Sequence, residues 1–450
     1  MKKIAILLFF TVGFFVHVWA CTGLIAGKQA TVDGSVLVTY SADSHTLYGA
    51  LTSSPAADWP KGSMRSIVEW DTNKPLGEIE QVEHTYAVMG NMNEHQLTVV
   101  ESTWGGRPEL VDTTGIIDYG SLMQLALERA KTAREAIKVM TGLVKKYGYY
   151  SSGESFTIAD PNEAWILDLI GKGPGRRGAV WVAVRIPDDC IAGHANYPRI
   201  HKIPMDDKEN CLYSPDVISF AREMGYFDGL NKDFSFARAY SPADFGALRA
   251  CDARVWSFFR KYDSSMDNYL PYVNGESAEP FPLYVKPSRK LSVQDMKEAM
   301  RDHFEDTPFD MTQDVGAGPF KVPYRFRPMS FEVDGKSYCM ERAIATQQTG
   351  FTLVGQMRNW LPDPVGGVLW FGVDDANTCV YIPMYCGITQ VPECFSPENG
   401  SMYDFSWTSA FWIHNWVANM AYARYEPMIG DIRKVQSAVE TSLNLRQPAV

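Results

Sequence analysis

The chain has 450 residues, enough for one large domain or two ordinary ones. With 46% hydrophobic and 13% aromatic residues it can bury a substantial core, which argues against a disordered or fibrous chain. A formal net charge of −11 argues against nucleic acid as a main partner, because phosphate binding needs a concentrated basic surface.

Residues 1–20 read as a secretory signal peptide. Lys2 and Lys3 form a basic start, Ile4 to Val16 is an apolar run, and Val18-Trp19-Ala20 places small or medium side chains at −3 and −1. The run is too short and wrongly flanked for a spanning helix. Cleavage is expected between Ala20 and Cys21, sending residues 21–450 to a periplasm or extracellular space with no stable membrane insertion. The chain carries eight cysteines, and an exported chain permits disulfides. Cys379, Cys386 and Cys394 lie close enough in sequence to suggest one local bridge. A zinc site there is disfavoured, since no His accompanies the trio and no CxxC pair occurs.

Past Cys21, short strands are predicted at Thr22–Ala26, Val36–Tyr40, Ser66–Trp70, Tyr86–Met89 and Leu97–Glu101. The turn Val32-Asp33-Gly34-Ser35 separates the first two, Asp-Gly being suited to the positive φ of a tight turn. Near Gly120 the period changes: Leu122, Leu125, Ala126 and Leu127 suggest a helix. Thr132 and Glu135 form a capping-box pattern before Ile137, Met140, Leu143 and Val144, and Gly148 stops the run.

Strands return at Phe156–Ala159, Trp165–Ile170 and Val180–Ile186, with the glycine-rich basic stretch Gly171–Gly178 as a hairpin loop. That stretch lacks the spacing of a phosphate-binding loop and opens no helix. Ser214-Pro215 and Ser241-Pro242 look like helix starts, the second opening an amphipathic run through Leu248, Val255 and Phe258. Tyr269 to Ser288 is irregular, Ser292–Phe304 is a capped helix, and Phe351–Val354, Val368–Val373 and Cys379–Ile382 are strand-like. Trp407–Tyr425 reads as a buried or half-buried helix, too often interrupted by polar residues to span a membrane. Strands, then helices, then strands, then a closing helix indicate an α+β fold with stacked sheets and outer helices, without a sharp domain boundary.

Cys21 is the residue with the clearest chemistry. As the first residue of a mature chain it carries a thiol and a free α-amine. The thiol has an ordinary pKa of about 8.5 and the amine one of about 7.7–8.0, so the amine can take the thiol proton and later return it to a leaving amine. Any preceding residue would turn the amine into an amide. Two other readings stay open: acylation of Cys21 as a lipoprotein anchor, which expects a small residue where Trp19 stands, and cleavage elsewhere, which leaves Cys21 an ordinary thiol.

The stretches CTGLIAGKQATVDGS, YSADSH, NMNEHQL, ESTWGGR and HANYPRI occur in that order, followed by GESFTIADPNEAWILDLIGKGPG and SWTSAFWIHNWVANMAYARY. Together they resemble the dipeptidase A family, a relative of the secernins. It belongs to the N-terminal nucleophile (Ntn) cysteine hydrolases, alongside bile-salt hydrolases and penicillin V acylases. The resemblance covers nearly all of the chain after residue 20. It implies a four-layer αββα sandwich of two stacked, mainly antiparallel sheets flanked by helices, with peripheral C-terminal elaborations. It also implies hydrolysis of dipeptides or short peptides without metal or other cofactor.

Carried over by position, the resemblance implies Cys21 as nucleophile and Asp43 as the acid beside its amine. Asn196 would be an oxyanion donor, a task that suits an amide because it brings no charge of its own. Asn93 is implied as part of a family Asn-Glu pair with a structural or catalytic task. Thr103 stands where related acylases carry a second oxyanion asparagine. Tyr40 stands where many relatives have an arginine that would lower the thiol pKa, so thiol activation needs another source. Arg254 matches another arginine of the acylase site. His45, two residues past Asp43, either faces the pocket or ends a strand. An amidase acting on N-acyl amino acids or bile-salt-like amides is the first alternative function, and a non-catalytic lipoprotein the second.

Overall fold

The computed structural model describes residues 21–325 and 330–447; the expected signal peptide lies outside the described residues. Two large antiparallel sheets organise the rest. One has seven strands in the order Tyr284–Val285, Ile191–His194, Gly23–Ala26, Val36–Asp43, Thr349–Met357, Val368–Val373 and Ile382–Tyr385. The other has eight, in the order Cys211–Tyr213, Ala179–Ile186, Ala164–Gly171, Gly153–Ala159, Thr98–Trp104, Met92–Asn93, Val88–Met89 and Ser53–Ser54.

The period of two along each strand divides the core. Ile25, Val36, Val38 and Tyr40 of the seven-stranded sheet share one apolar cluster with Val100, Trp104, Ile166, Ile170, Val180 and Val182 of the eight-stranded sheet. On the opposite side of the first sheet, Leu24, Leu37, Ile191, Val354 and Trp370 meet Val255, Phe258, Phe259 and Met296 of the helices Ala253–Arg260 and Val293–Ala299. On the opposite side of the second, Val99, Ile158, Leu167 and Ala183 meet Leu122, Leu125, Ile137, Met140 and Val144 of the helices Tyr119–Arg129 and Ala133–Tyr147.

Local chemistry explains most element ends. Asp118 and Thr132 cap the paired helices by accepting from Ser121 N and Glu135 N. The Glu135 carboxylate reaches past the cap to Lys131 N, 2.9 Å away, so the predicted capping box is displaced by one residue. The loop after Gly171 closes a hairpin as expected, with Gly171 opposite Ala179. The stretch after Ser241-Pro242 turns helical only past Asp244, whose carboxylate takes the capping bond from Ala247 N at 2.7 Å. The strand expected at Cys379–Ile382 begins at Ile382, because Asp375 instead holds the preceding residues in a turn through Asn377 N, Thr378 N and Cys379 N.

Two expectations are corrected. No bridge joins Cys379, Cys386 and Cys394; all eight cysteines are free thiols, with Cys386 donating to Asp363 O at 2.9 Å. The aromatic segment forms a helix, Ala410–Ala423, but it buries only Phe411, Ala418 and Ala421. Trp412 packs against the core, while Trp416 packs at the surface on Phe405 and on Trp407, which precedes the helix (Trp407 on Trp416 at 5.1 Å). Among the described residues no helix is long and apolar enough to cross a membrane.

The helix Tyr425–Arg446, which no sequence signal marked, is latched by one buried carboxylate. Glu440 accepts from Arg301 at 2.6 Å, Tyr381 N at 3.1 Å and Gln294 at 3.0 Å. Glu440→Ala strands Arg301 in the interior and is expected to lower unfolding free energy by about 3–5 kcal/mol in urea titration. Val435→Ala, on the exposed side of the same helix, is expected to change it by no more than about 0.5 kcal/mol.

Candidate active site

The VDGS turn brings the first two strands together. Asp33 accepts from Ser35 N and Oγ at 3.1 and 2.6 Å, and Gly34 takes φ +86°, the left-handed region open to glycine. The returning strand runs on to Asp43, three residues beyond the predicted end. Thr22 and Ser41 then pair reciprocally through their backbones, fixing Cys21 against Tyr40 and Asp43.

The Cys21 sulfur lies 3.6 Å from the Tyr40 hydroxyl, which donates a short hydrogen bond to Glu101. The backbone N–H of Asp43 also points at the sulfur. Burial raises the thiol pKa well above its ordinary value, and the negative charges of Glu101 and Asp43 push it further up; the Asp43 N–H and Tyr40 only partly oppose this. The side chain of Asp43 accepts from Arg342 at 2.6 Å, Thr349 at 2.7 Å and Ser41 at 3.1 Å. Three of the roughly four lone-pair positions of its carboxylate are therefore taken.

Arg254 joins two separate parts of the site. It sits where a six-residue π-helical stretch, Ala247–Asp252, passes into the helix Ala253–Arg260, and it is 1% exposed. Its guanidinium donates to Cys21 O at 2.9 Å, Thr22 Oγ1 at 2.8 Å, Ala195 O at 3.2 Å, Asn196 Oδ1 at 2.7 Å and Ala250 O at 2.9 Å. Burial, then repulsion from Arg342, lowers its pKa to about 10, which still leaves it charged at neutral pH. It touches the Cys21 backbone and not the thiol.

Asn196 adopts φ +57° and is held on both ends of its amide: Oδ1 by Arg254, Nδ2 by Thr103 O at 2.5 Å. Its backbone N–H donates to Ser102 Oγ at 3.1 Å. Ser102 in turn contacts His194 Nδ1 at 2.6 Å, and His194 Nε2 lies 2.8 Å from Thr157. Burial and the charges of Arg254 and Arg199 lower the His194 pKa to about 3, so a neutral ring braces this loop.

Cys21, Tyr40, Asp43, Asn196, Thr103 and Arg254 thus converge. Thr103 does so through its carbonyl, while its hydroxyl bonds Glu154. His45 sits on an exposed turn with Nε2 2.9 Å from the Gln348 amide. Asn93 lies elsewhere. Its amide donates to Leu127 O and Ala130 O at 2.8 and 2.7 Å, ending the helix Tyr119–Arg129, and its oxygen accepts from His95 N and Leu97 N. Glu101, Glu154 and Arg342 are the site residues that sequence reading missed. Glu101 had one visible signal, a charge closing an otherwise apolar strand; Arg342 had none.

Asn93→Ala leaves several buried backbone groups without partners, and a loss of about 2–4 kcal/mol in urea unfolding is expected. The rate at which iodoacetamide alkylates Cys21 in the folded protein is expected to stay unchanged, since no atom of Asn93 reaches the thiol's surroundings.

The model of peptidase family C69 matches residues 20–438. Similar curated proteins include a "Probable dipeptidase" of Salmonella dublin, 27% identical over 396 residues that cover 82% of this chain and 81% of that protein. A "Probable dipeptidase" of Latilactobacillus sakei is 24% identical over 431 residues, covering 90% and 82%. "Dipeptidase A" of Lactobacillus helveticus is 24% identical over 429 residues, also covering 90% and 82%. With a match spanning nearly the whole chain, this protein belongs to peptidase family C69.

Proposed function

We propose that this chain is an exported cysteine-type dipeptidase of the Ntn class, with Cys21 as its N-terminal nucleophile. The observation that carries the reading is the gathering of Asp43, Asn196 and Arg254 around Cys21: the Asp43 N–H faces the sulfur, and Arg254 ties the Cys21 carbonyl to the Asn196 amide. Family membership and the names of the relatives point to peptides as substrates. Residues 21–450 would form one hydrolase domain, and the two sheets with their helix pairs would be the αββα sandwich of that class.

The mechanism follows from the geometry. Removal of residues 1–20 frees the α-amine of Cys21, for which Asp43 has one lone-pair position left. The amine takes the thiol proton, and the thiolate, stabilised by the Asp43 N–H, attacks the scissile carbonyl carbon. The carbonyl π electrons move onto oxygen, where Asn196 Nδ2 and backbone N–H groups stabilise the oxyanion. Collapse breaks the C–N bond, and the α-ammonium hands its proton to the departing amine. Water, deprotonated by the same amine, then cleaves the thioester. Arg254 takes no proton; it holds the Cys21 carbonyl and Asn196 in register.

Cys21→Ala is expected to abolish hydrolysis of a dipeptide panel while leaving the circular dichroism spectrum intact. Activity retained by that variant would remove Cys21 as nucleophile. Mass spectrometry of the mature protein should find an unmodified Cys21 at position one; a diacylglyceryl mass there would refute the enzyme reading. Arg254→Lys, which cannot reproduce five directed donors, is expected to lower kcat about 10²–10³-fold. Glycine and taurine conjugates run beside the dipeptides separate a peptidase from an amidase.

A further inference from the structure

Glu101 and Glu154 lie on neighbouring strands of the eight-stranded sheet, with Thr103 directly opposite Glu154 and Glu101 two residues along on the same side. Both are buried, Glu101 at 2% and Glu154 at 0% exposure. They face each other, and each keeps one oxygen, Oε2, with no donor to satisfy it. Asp71 stands close enough to add its field, and its own carboxyl, hydrogen-bonded by Tyr119 at 2.8 Å, is pushed up to about 6 by burial.

Among the described residues none of these three carboxyl groups forms an ion pair with Lys, Arg or His. Burial raises the pKa of Glu101, and burial with the charge of Glu101 raises that of Glu154 well above the ordinary range. Two adjacent buried carboxyls of this kind oppose each other's ionisation. The pair has no cationic partner among the described residues and lies against Cys21 and Tyr40.

The distance to the chemistry is short. Glu101 is hydrogen-bonded to the Tyr40 hydroxyl, which is 3.6 Å from the Cys21 sulfur, and the carboxyl is itself within hydrogen-bonding reach of the thiol. A substrate poised for attack brings its carbonyl carbon to roughly 3–3.5 Å from the sulfur. The α-nitrogen of the residue being acylated lies only roughly 2.5 Å beyond that carbon. Whatever reaches the sulfur therefore carries its α-nitrogen into the neighbourhood of Glu101.

We propose that Glu101, backed by Glu154, is the subsite for the free α-ammonium of the substrate's first residue. The inference rests on the dipeptidase reading and adds which residues read the substrate's unblocked N terminus. An ammonium seated there satisfies the orphaned carboxylate oxygens and cancels a charge that opposes thiolate formation, so the correct substrate helps to ionise its own nucleophile. An N-acylated amide offers no cation, leaves the carboxylates uncompensated, and meets a thiol that stays protonated. Tyr40, which hydrogen-bonds Glu101, brings no competing cation to these carboxyls.

The test compares L-alanyl-L-alanine with propionyl-L-alanine, the same molecule without its α-amine, on the mature protein. The free dipeptide is expected to be favoured in kcat/KM by about 100-fold or more. Glu101→Gln is expected to raise KM for the dipeptide and shrink that preference to less than about tenfold, with Glu101→Asp retaining part of it. Equal kcat/KM for both substrates in the wild-type protein would overturn the subsite while leaving the dipeptidase reading intact. Hydrolysis of neither, nor of any other dipeptide, would remove that reading and the subsite with it. A Glu101→Gln protein that loses kcat alike on both substrates, with the preference preserved, would also overturn the subsite and assign Glu101 to the thiol proton through Tyr40. Should Glu101→Gln fail to fold, the wild-type comparison decides alone.

Discussion

The site depends on one buried guanidinium. Arg254 is enclosed, charged, and has all its donors spent on oxygens from Cys21 and Thr22, the Ala195–Asn196 loop and its own helix. Burying such a charge is favourable only when its donors are met, so the helix, the strand end and the loop adopt their positions together or not at all. The left-handed φ of Asn196 and the wide turn Ala247–Asp252 are the local distortions that this arrangement sustains. Removing the side chain frees four backbone or side-chain oxygens outside its own helix at once, two of them on the nucleophile's side and two on the loop's.

Around that cation the charges are unevenly divided. Arg342 answers Asp43, and Arg254 is occupied by neutral oxygens, so the thiol's own neighbourhood is acidic. A thiol buried and flanked by Glu101 and Asp43 has its pKa raised, the reverse of the depressed pKa that an adjacent arginine would produce. The protein compensates locally with directed groups in place of charge: the Asp43 N–H and the Tyr40 hydroxyl both face the sulfur. The second support, the neutral His194 between Ser102 and Thr157, shapes the Asn196 loop without adding to the field.

The sequence by itself determined the elements whose information is local: the Asp33-Gly34 turn, the cap at Thr132, the alternation that sends Val38 and Tyr40 one way and Leu37 the other. It also pointed to Cys21, because an expected cleavage site and a cysteine adjoin in the chain. Asp43 and Asn196 were legible from ordered motifs and not from physics, since neither residue type is informative alone. What only the tertiary structure decided concerns pairings across hundreds of residues. Arg342 meets Asp43 across 299 positions and Arg254 meets Cys21 across 233, and no period, cap or spacing encodes either contact. The same physics moved Asn93 from the site to a helix end, left the aromatic helix Ala410–Ala423 largely outside the core, and placed Glu101 beneath Tyr40. Burial and charge neighbours are properties of the folded surroundings, so the sequence pointed to Cys21 but not to the acidic field around its thiol.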